Sequence, residues 1–116
     1  MSFEVLGTPK TFNATSKSSH WAASKELSQW REDFHWVGKT SRKRVLVFPV
    51  VVHVRQYYVK GKPKEAGANY LSAKGGLDGL VDAGVLPGDS PAYVSAVVLH
   101  APEKSTLDSL VIEIHA

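Results

Sequence analysis

Apolar positions recur along this chain at two periods, and the change from one to the other marks out its elements. Phe3 to Leu6 can form a short strand, which Gly7 and Pro9 end. Residues 10–24 are rich in Ser, Thr, Lys and Asn and read as a loop. Leu27, Trp30, Phe34 and Val37 then fall at spacings of three, four and three, the stripe of one helical face. Ser24 is placed to cap that helix, which runs toward Trp36 with Gly38 closing it. Val45 to Tyr58 is dense in β-branched and aromatic residues and predicts a long strand or hairpin arm, with Pro49 requiring an edge, a bulge or a break. After the polar loop Val59 to Gly67, a second helix is predicted over Asn69 to Asp82. It turns Tyr70, Ala73, Leu77, Leu80 and Val81 inward and stops at Gly84. Gly75 and Gly76 inside it make sense where another backbone approaches closely. Two strands follow, Tyr93 to His100 and Leu107 to His115, the latter with alternating Leu110, Ile112 and Ile114, joined by a turn over Ala101 to Thr106.

The order is strand, helix, strand, helix, strand, strand. It predicts one α+β domain over residues 1–116, a mixed β-sheet with two helices packed on it. With 116 residues, 43% of them apolar, the chain can bury a modest core. It has no cysteine, which excludes a disulfide framework and a cysteine-ligated zinc site. Met1 to Lys10 lacks the basic-then-apolar order of a signal peptide, and the run Val45 to Val52 is too short to cross a bilayer. The expectation is a cytoplasmic protein without a membrane partner.

Charge is unevenly spread. Residues 1–64 carry 12 Lys and Arg against 4 Asp and Glu, and residues 65–116 carry 2 against 7, within a net charge of +3. That split suits a polyanion bound beside a carboxylate site. The candidate contacts are Lys39, Arg42, Lys43 and Arg44 before the long strand, and Arg55, Lys60, Lys62 and Lys64 at its other end. Phosphate neutralisation by such residues gives salt-sensitive affinity that is largely independent of sequence. His20, His35, His53, His100 and His115 are scattered without ligand spacing and are expected to be surface or structural histidines. No GxSxG, P-loop or dinucleotide fingerprint occurs. Trp30 and Phe34 belong to the core stripe. Trp21, Trp36, Tyr57 and Tyr58 stay open between packing, a dimer interface and stacking on an unpaired base.

The segments Ala73-Lys74, Leu77-Asp78-Gly79-Leu80-Val81-Asp82-Ala83-Gly84-Val85-Leu86-Pro87, Asp89-Ser90-Pro91 and Tyr93-Val94 occur in that order. Together they resemble the core signature of RusA-like Holliday junction endodeoxyribonucleases, closest to forms from actinobacteria and their phages. Asn13, His20-Trp21 and Trp30-Arg31 agree more loosely. The resemblance implies a homodimer of phage or mobile-element origin in a bacterial host. It would act in DNA recombination and repair by binding branched DNA, cutting with magnesium held by carboxylates and assisted by a lysine.

The positions that the resemblance assigns to catalysis are depleted. In place of an Asp-rich opening to the second helix stands Glu65-Ala66-Gly67-Ala68, and in place of an Asp-Asp pair stands Gly88-Asp89. Asn69 replaces the missing Asn only if the register slips by one, against the spacing to Lys74. Lys74, Glu65 and Asp89 are the surviving catalytic candidates, with Glu65, Asp89 and Asp78 as metal ligands for weakly held or absent magnesium. Lys74, Asp78 and Asp82 are spaced i, i+4, i+8 and are expected on one helical face. The expectation is binding of branched DNA with cleavage lost or weak. An active magnesium-dependent junction endonuclease and a scaffold repurposed to bind a host protein are the alternatives.

Overall fold

Strand β1 spans Ser2–Leu6, helix α1 His20–Ser41, strand β2 Val50–Tyr58, helix α2 Tyr70–Asp82, and strands β3 Val94–Leu99, β4 Glu103–Lys104 and β5 Ser109–His115. The computed structural model describes residues 1–8, 20–61, 66–67 and 69–116. The predicted loop over 10–24 therefore lies largely outside the described residues. The architecture is the expected α+β class: one mixed sheet, in the order β1-β5-β2-β3, with two helices. β5 runs antiparallel to both β1 and β2, whereas β3 and β4 pair with β2 in parallel. The parallel pairing requires a crossover, which α2 supplies.

Alternation along the strands sorts the two faces of the sheet. Val50, Val52, Val54 and Gln56 of β2 are buried, as are Leu110, Ile112 and Ile114 of β5 and Phe3 and Val5 of β1. Register aligns these residues in rows, Phe3 with Ile112 and Val54, then Val5 with Leu110 and Gln56. Side chains on one row touch across strands, which makes a continuous apolar floor for the helices. Phe34, fully buried, lies between this floor and α2, where a Cβ on Gly76 would meet both Phe34 and Ile112.

The helices meet backbone to backbone. A Cβ on Gly75 would strike the carbonyl oxygen of Leu27, and one on Gly79 the carbonyl oxygen of Arg31. Two glycines one turn apart thus face two α1 carbonyls one turn apart. Gly75 fulfils the expectation of a close backbone approach and Gly79 extends it, whereas Gly76 faces the side chains of Phe34 and Ile112.

Several boundaries differ from the sequence expectation. Helix α1 begins at His20 rather than after a Ser24 cap, and it continues past Gly38 to Ser41. Gly38 is a contact residue: a Cβ there would come within 3.0 Å of Leu80 Cδ2 and Ala83 Cβ. The left-handed residue after the helix is Arg42, at φ 58°. Pro49 does break the long strand, and β2 begins only at Val50. A bulge at Ser95 follows, where the register between β2 and β3 shifts and the Ser95 hydroxyl donates to the Val50 carbonyl at 3.2 Å. Tyr70, expected inward, is exposed because it opens the first turn of α2 on its solvent side. The turn over Ala101 to Thr106 contains β4, which extends the β3 edge along Tyr57 and Tyr58. No described helix is long and apolar enough to cross a membrane.

Candidate functional site

Helix α2 and the turn before β3 bring together three of the predicted site residues. Lys74 Nζ donates to Asp78 Oδ1 and to Asp89 Oδ2, each at 3.1 Å. The first contact follows from the i, i+4 spacing on one helix. The second depends on the fold, because Gly84 (φ 84°) stops α2 and the chain then returns past Leu86, Pro87 and Gly88 to set Asp89 beside the helix. The two carboxylates raise the pKa of the ammonium, and the ammonium holds the Asp89 carboxyl below the usual carboxylate range. A half-open cavity of about 300 Å³ adjoins them, walled by Tyr70, Leu77, Val97 and Leu99. The arrangement offers a cation at the mouth of an apolar groove.

Asp82 departs from the expected face. Eight residues advance a helix about 80° beyond two full turns, and Asp82 accordingly turns to α1. There it takes a bidentate pair from Arg31, at 2.6 and 2.9 Å. The Arg31 guanidinium holds its pKa down. Glu65, Lys62 and Lys64 lie outside the described residues. Asn69 is 2% exposed, with neither amide atom hydrogen-bonded among the described residues, so it presents no donor at the surface.

Magnesium requires several oxygen ligands around one point. Among the described residues no group of three or more His, Asp or Glu side chains converges in that way. The Lys74 ammonium already stands between Asp78 and Asp89, where a cation of the protein itself offsets half of their charge. Glu65, the other carboxylate expected to hold the ion, lies outside these described residues.

The predicted DNA contacts divide into two groups. Lys39, Arg42, Lys43 and Arg44 are exposed at the C-terminal end of α1 and after it, and none is ion-paired among the described residues. Lys39 Nζ lies 5.7 Å from the ring centre of Trp36, itself 56% exposed. Lys60 is also exposed, at the far end of β2. Arg55 lies within β2, in the half that leads to Lys60. It sits on the sheet face opposite the helices and pairs with Glu113 at 2.9 Å, which leaves its charge compensated.

The same open face gathers three histidines that sequence reading left scattered. His53 Nδ1 and His100 Nε2 lie 2.7 Å apart, and His115 meets His53 edge-on at 5.4 Å. The ring centres of His53 and His100 are 5.0 Å apart with planes 23° from parallel, so the two nitrogens face each other head-on. One of the two facing nitrogens carries a hydrogen and donates it to the other, so both are already engaged in a hydrogen bond. Burial, then Arg55 and His53, lower the His100 pKa. The signal was present in the alternation of β2 but needed the β2–β3 register, His53 opposite Val98, to be read.

Compared with known proteins, the chain matches no family model and no curated protein.

Proposed function

We propose that this chain is a RusA-like protein of phage or mobile-element origin that binds branched DNA as a homodimer, with strand cleavage lost or weak. The observation that carries the reading is the contact between Lys74 and Asp89, two positions that the resemblance assigns to one site. Their separation of 15 positions in sequence leaves that contact to the fold. The cations Lys39, Arg42, Lys43 and Arg44, not ion-paired among the described residues, support a polyanionic ligand, since phosphate contacts supply most of non-specific affinity. Impaired cleavage is supported by Lys74 standing between Asp78 and Asp89 where a metal would require free carboxylate oxygens.

Gel shifts on a fixed four-way junction and on linear duplex, with and without magnesium, test this reading. A junction-selective shift with intact strands is the expected result. Efficient magnesium-dependent cutting would make the chain an active resolvase. No junction preference at low salt would refute DNA-branch binding and turn the search to a host protein.

A further inference from the structure

The segment that joins α1 to β2 presents cations and aliphatic side chains together. Arg42, Lys43 and Arg44 are exposed and unpaired among the described residues. Leu46 and Val47, directly after them, are 81% and 65% exposed, the two most exposed large apolar side chains described. Their display is fixed on both sides. Val45 is buried and its N–H donates to the Val85 carbonyl at 2.9 Å. Phe48 packs edge-on against Tyr93 with ring centres 5.2 Å apart. Leu46 and Val47 therefore form a short tip held between two anchors.

Arg42 adds a second sign that the segment is shaped for contact. Its φ of 58° lies in the left-handed region, where glycine at a helix end is unstrained and an arginine side chain meets steric resistance. Glycine would end α1 at least as well, so the turn itself has no need of the guanidinium.

We infer that Leu46 and Val47 are a wedge that enters the opened base stack at a DNA branch point while Arg42, Lys43 and Arg44 hold the flanking phosphates. This rests on the reading of function above and adds the part of the surface that distinguishes a branch from a duplex. Aliphatic side chains inserted between base steps are a recurrent device of DNA-deforming proteins, and they work where stacking is already interrupted. Charge complementarity selects the ligand: three cations without a carboxylate among residues 42–49 match a polyanion. Two aliphatic side chains fall well short of one acyl chain, which itself anchors only marginally to a membrane. The tip is also too small to hold a second copy of the chain, given the area that stable interfaces bury.

The test uses a fixed four-way junction with 2-aminopurine at the branch, the wild-type protein, the double variant L46S/V47S and the triple variant R42E/K43E/R44E. Wild type is expected to raise 2-aminopurine fluorescence as the base unstacks. L46S/V47S should abolish the rise and weaken junction binding roughly tenfold, and its affinity for linear duplex should stay within about twofold, since its phosphate contacts remain. R42E/K43E/R44E should lose affinity for both DNAs. Both tip residues are exposed, so the melting temperature of L46S/V47S should match wild type and serves as the folding control. Undiminished fluorescence and junction preference in L46S/V47S would overturn the wedge and leave the function standing. A wild type without junction preference would overturn both. Binding to phosphatidylserine vesicles that requires Leu46 and Val47, or dissociation of a dimer by their substitution, would overturn the wedge by assigning the tip to lipid or to a second copy.

Discussion

Lys74 Nζ lies 3.1 Å from Asp89 Oδ2, and the same ammonium lies 3.1 Å from Asp78 Oδ1. One cation therefore serves two carboxylates at the mouth of the groove beside α2. Because Lys74 and Asp89 are both more than 40% exposed, solvent screens much of this attraction. Lys74→Met should change stability at neutral pH by no more than about 1 kcal/mol, while junction affinity falls. The Asp89 pKa is depressed by Lys74, so the contribution of this pair is present above the ordinary carboxylate pKa and is lost as pH falls through the depressed value. Urea melts at neutral and strongly acidic pH should show the difference between wild type and variant shrinking in acid.

Magnesium binding would raise stability in proportion to the logarithm of its concentration over Kd. With Lys74 between the carboxylates, about 10 mM magnesium should leave the melting temperature unchanged. A rise of more than about 2 °C, beyond that in an equal ionic strength of sodium chloride, would show that the carboxylates hold the ion.

The glycine face of α2 admits no added atom. Gly75→Ala and Gly79→Ala each drive a methyl group into an α1 carbonyl, and each should cost about 1–3 kcal/mol or more because the helices must separate. Gly84 has open space around its Cβ position but a φ of 84°, so Gly84→Ala should cost only about 1–2 kcal/mol. Urea melts of the three variants rank the two causes.

The lowered pKa of His100 predicts a pH dependence of definite sign. Its pKa is lowered by burial, then by Arg55 and by His53, with Glu113 and Glu103 acting the other way. Between the folded value and the ordinary one the unfolded chain binds more protons, so stability must fall as pH drops through that interval. His115 packs edge-on against His53 on the same face. Melting curves from pH 7.5 to 5 should show the loss, and His100→Gln should flatten it. An unchanged slope in His100→Gln would place the titrating group elsewhere.

Where periodicity alone decides, the sequence was legible. The alternation of Leu110, Ile112 and Ile114 and the stripe of Trp30 and Phe34 are buried as they predict, since each follows from one element's own geometry. Gly38 misled because a glycine after an apolar stripe looks like a helix stop, and only its contacts with Leu80, Ala83 and Val85 reveal its role. Two-residue β4 has no periodic signal at all. In the site, the meeting of Lys74 with Asp89 was implied by family resemblance and not by spacing. The Arg31–Asp82 pair and the three histidines on the open face depend on tertiary register, which a single sequence does not display.

The central claim is selectivity for branched DNA, and equilibrium competition tests it most directly. A labelled fixed four-way junction, bound in magnesium at near-physiological salt, is challenged with unlabelled junction or with linear duplex of equal length. The account predicts that duplex competes at least roughly tenfold more weakly than junction, and that the labelled strands remain intact. Equal competition by duplex would contradict it.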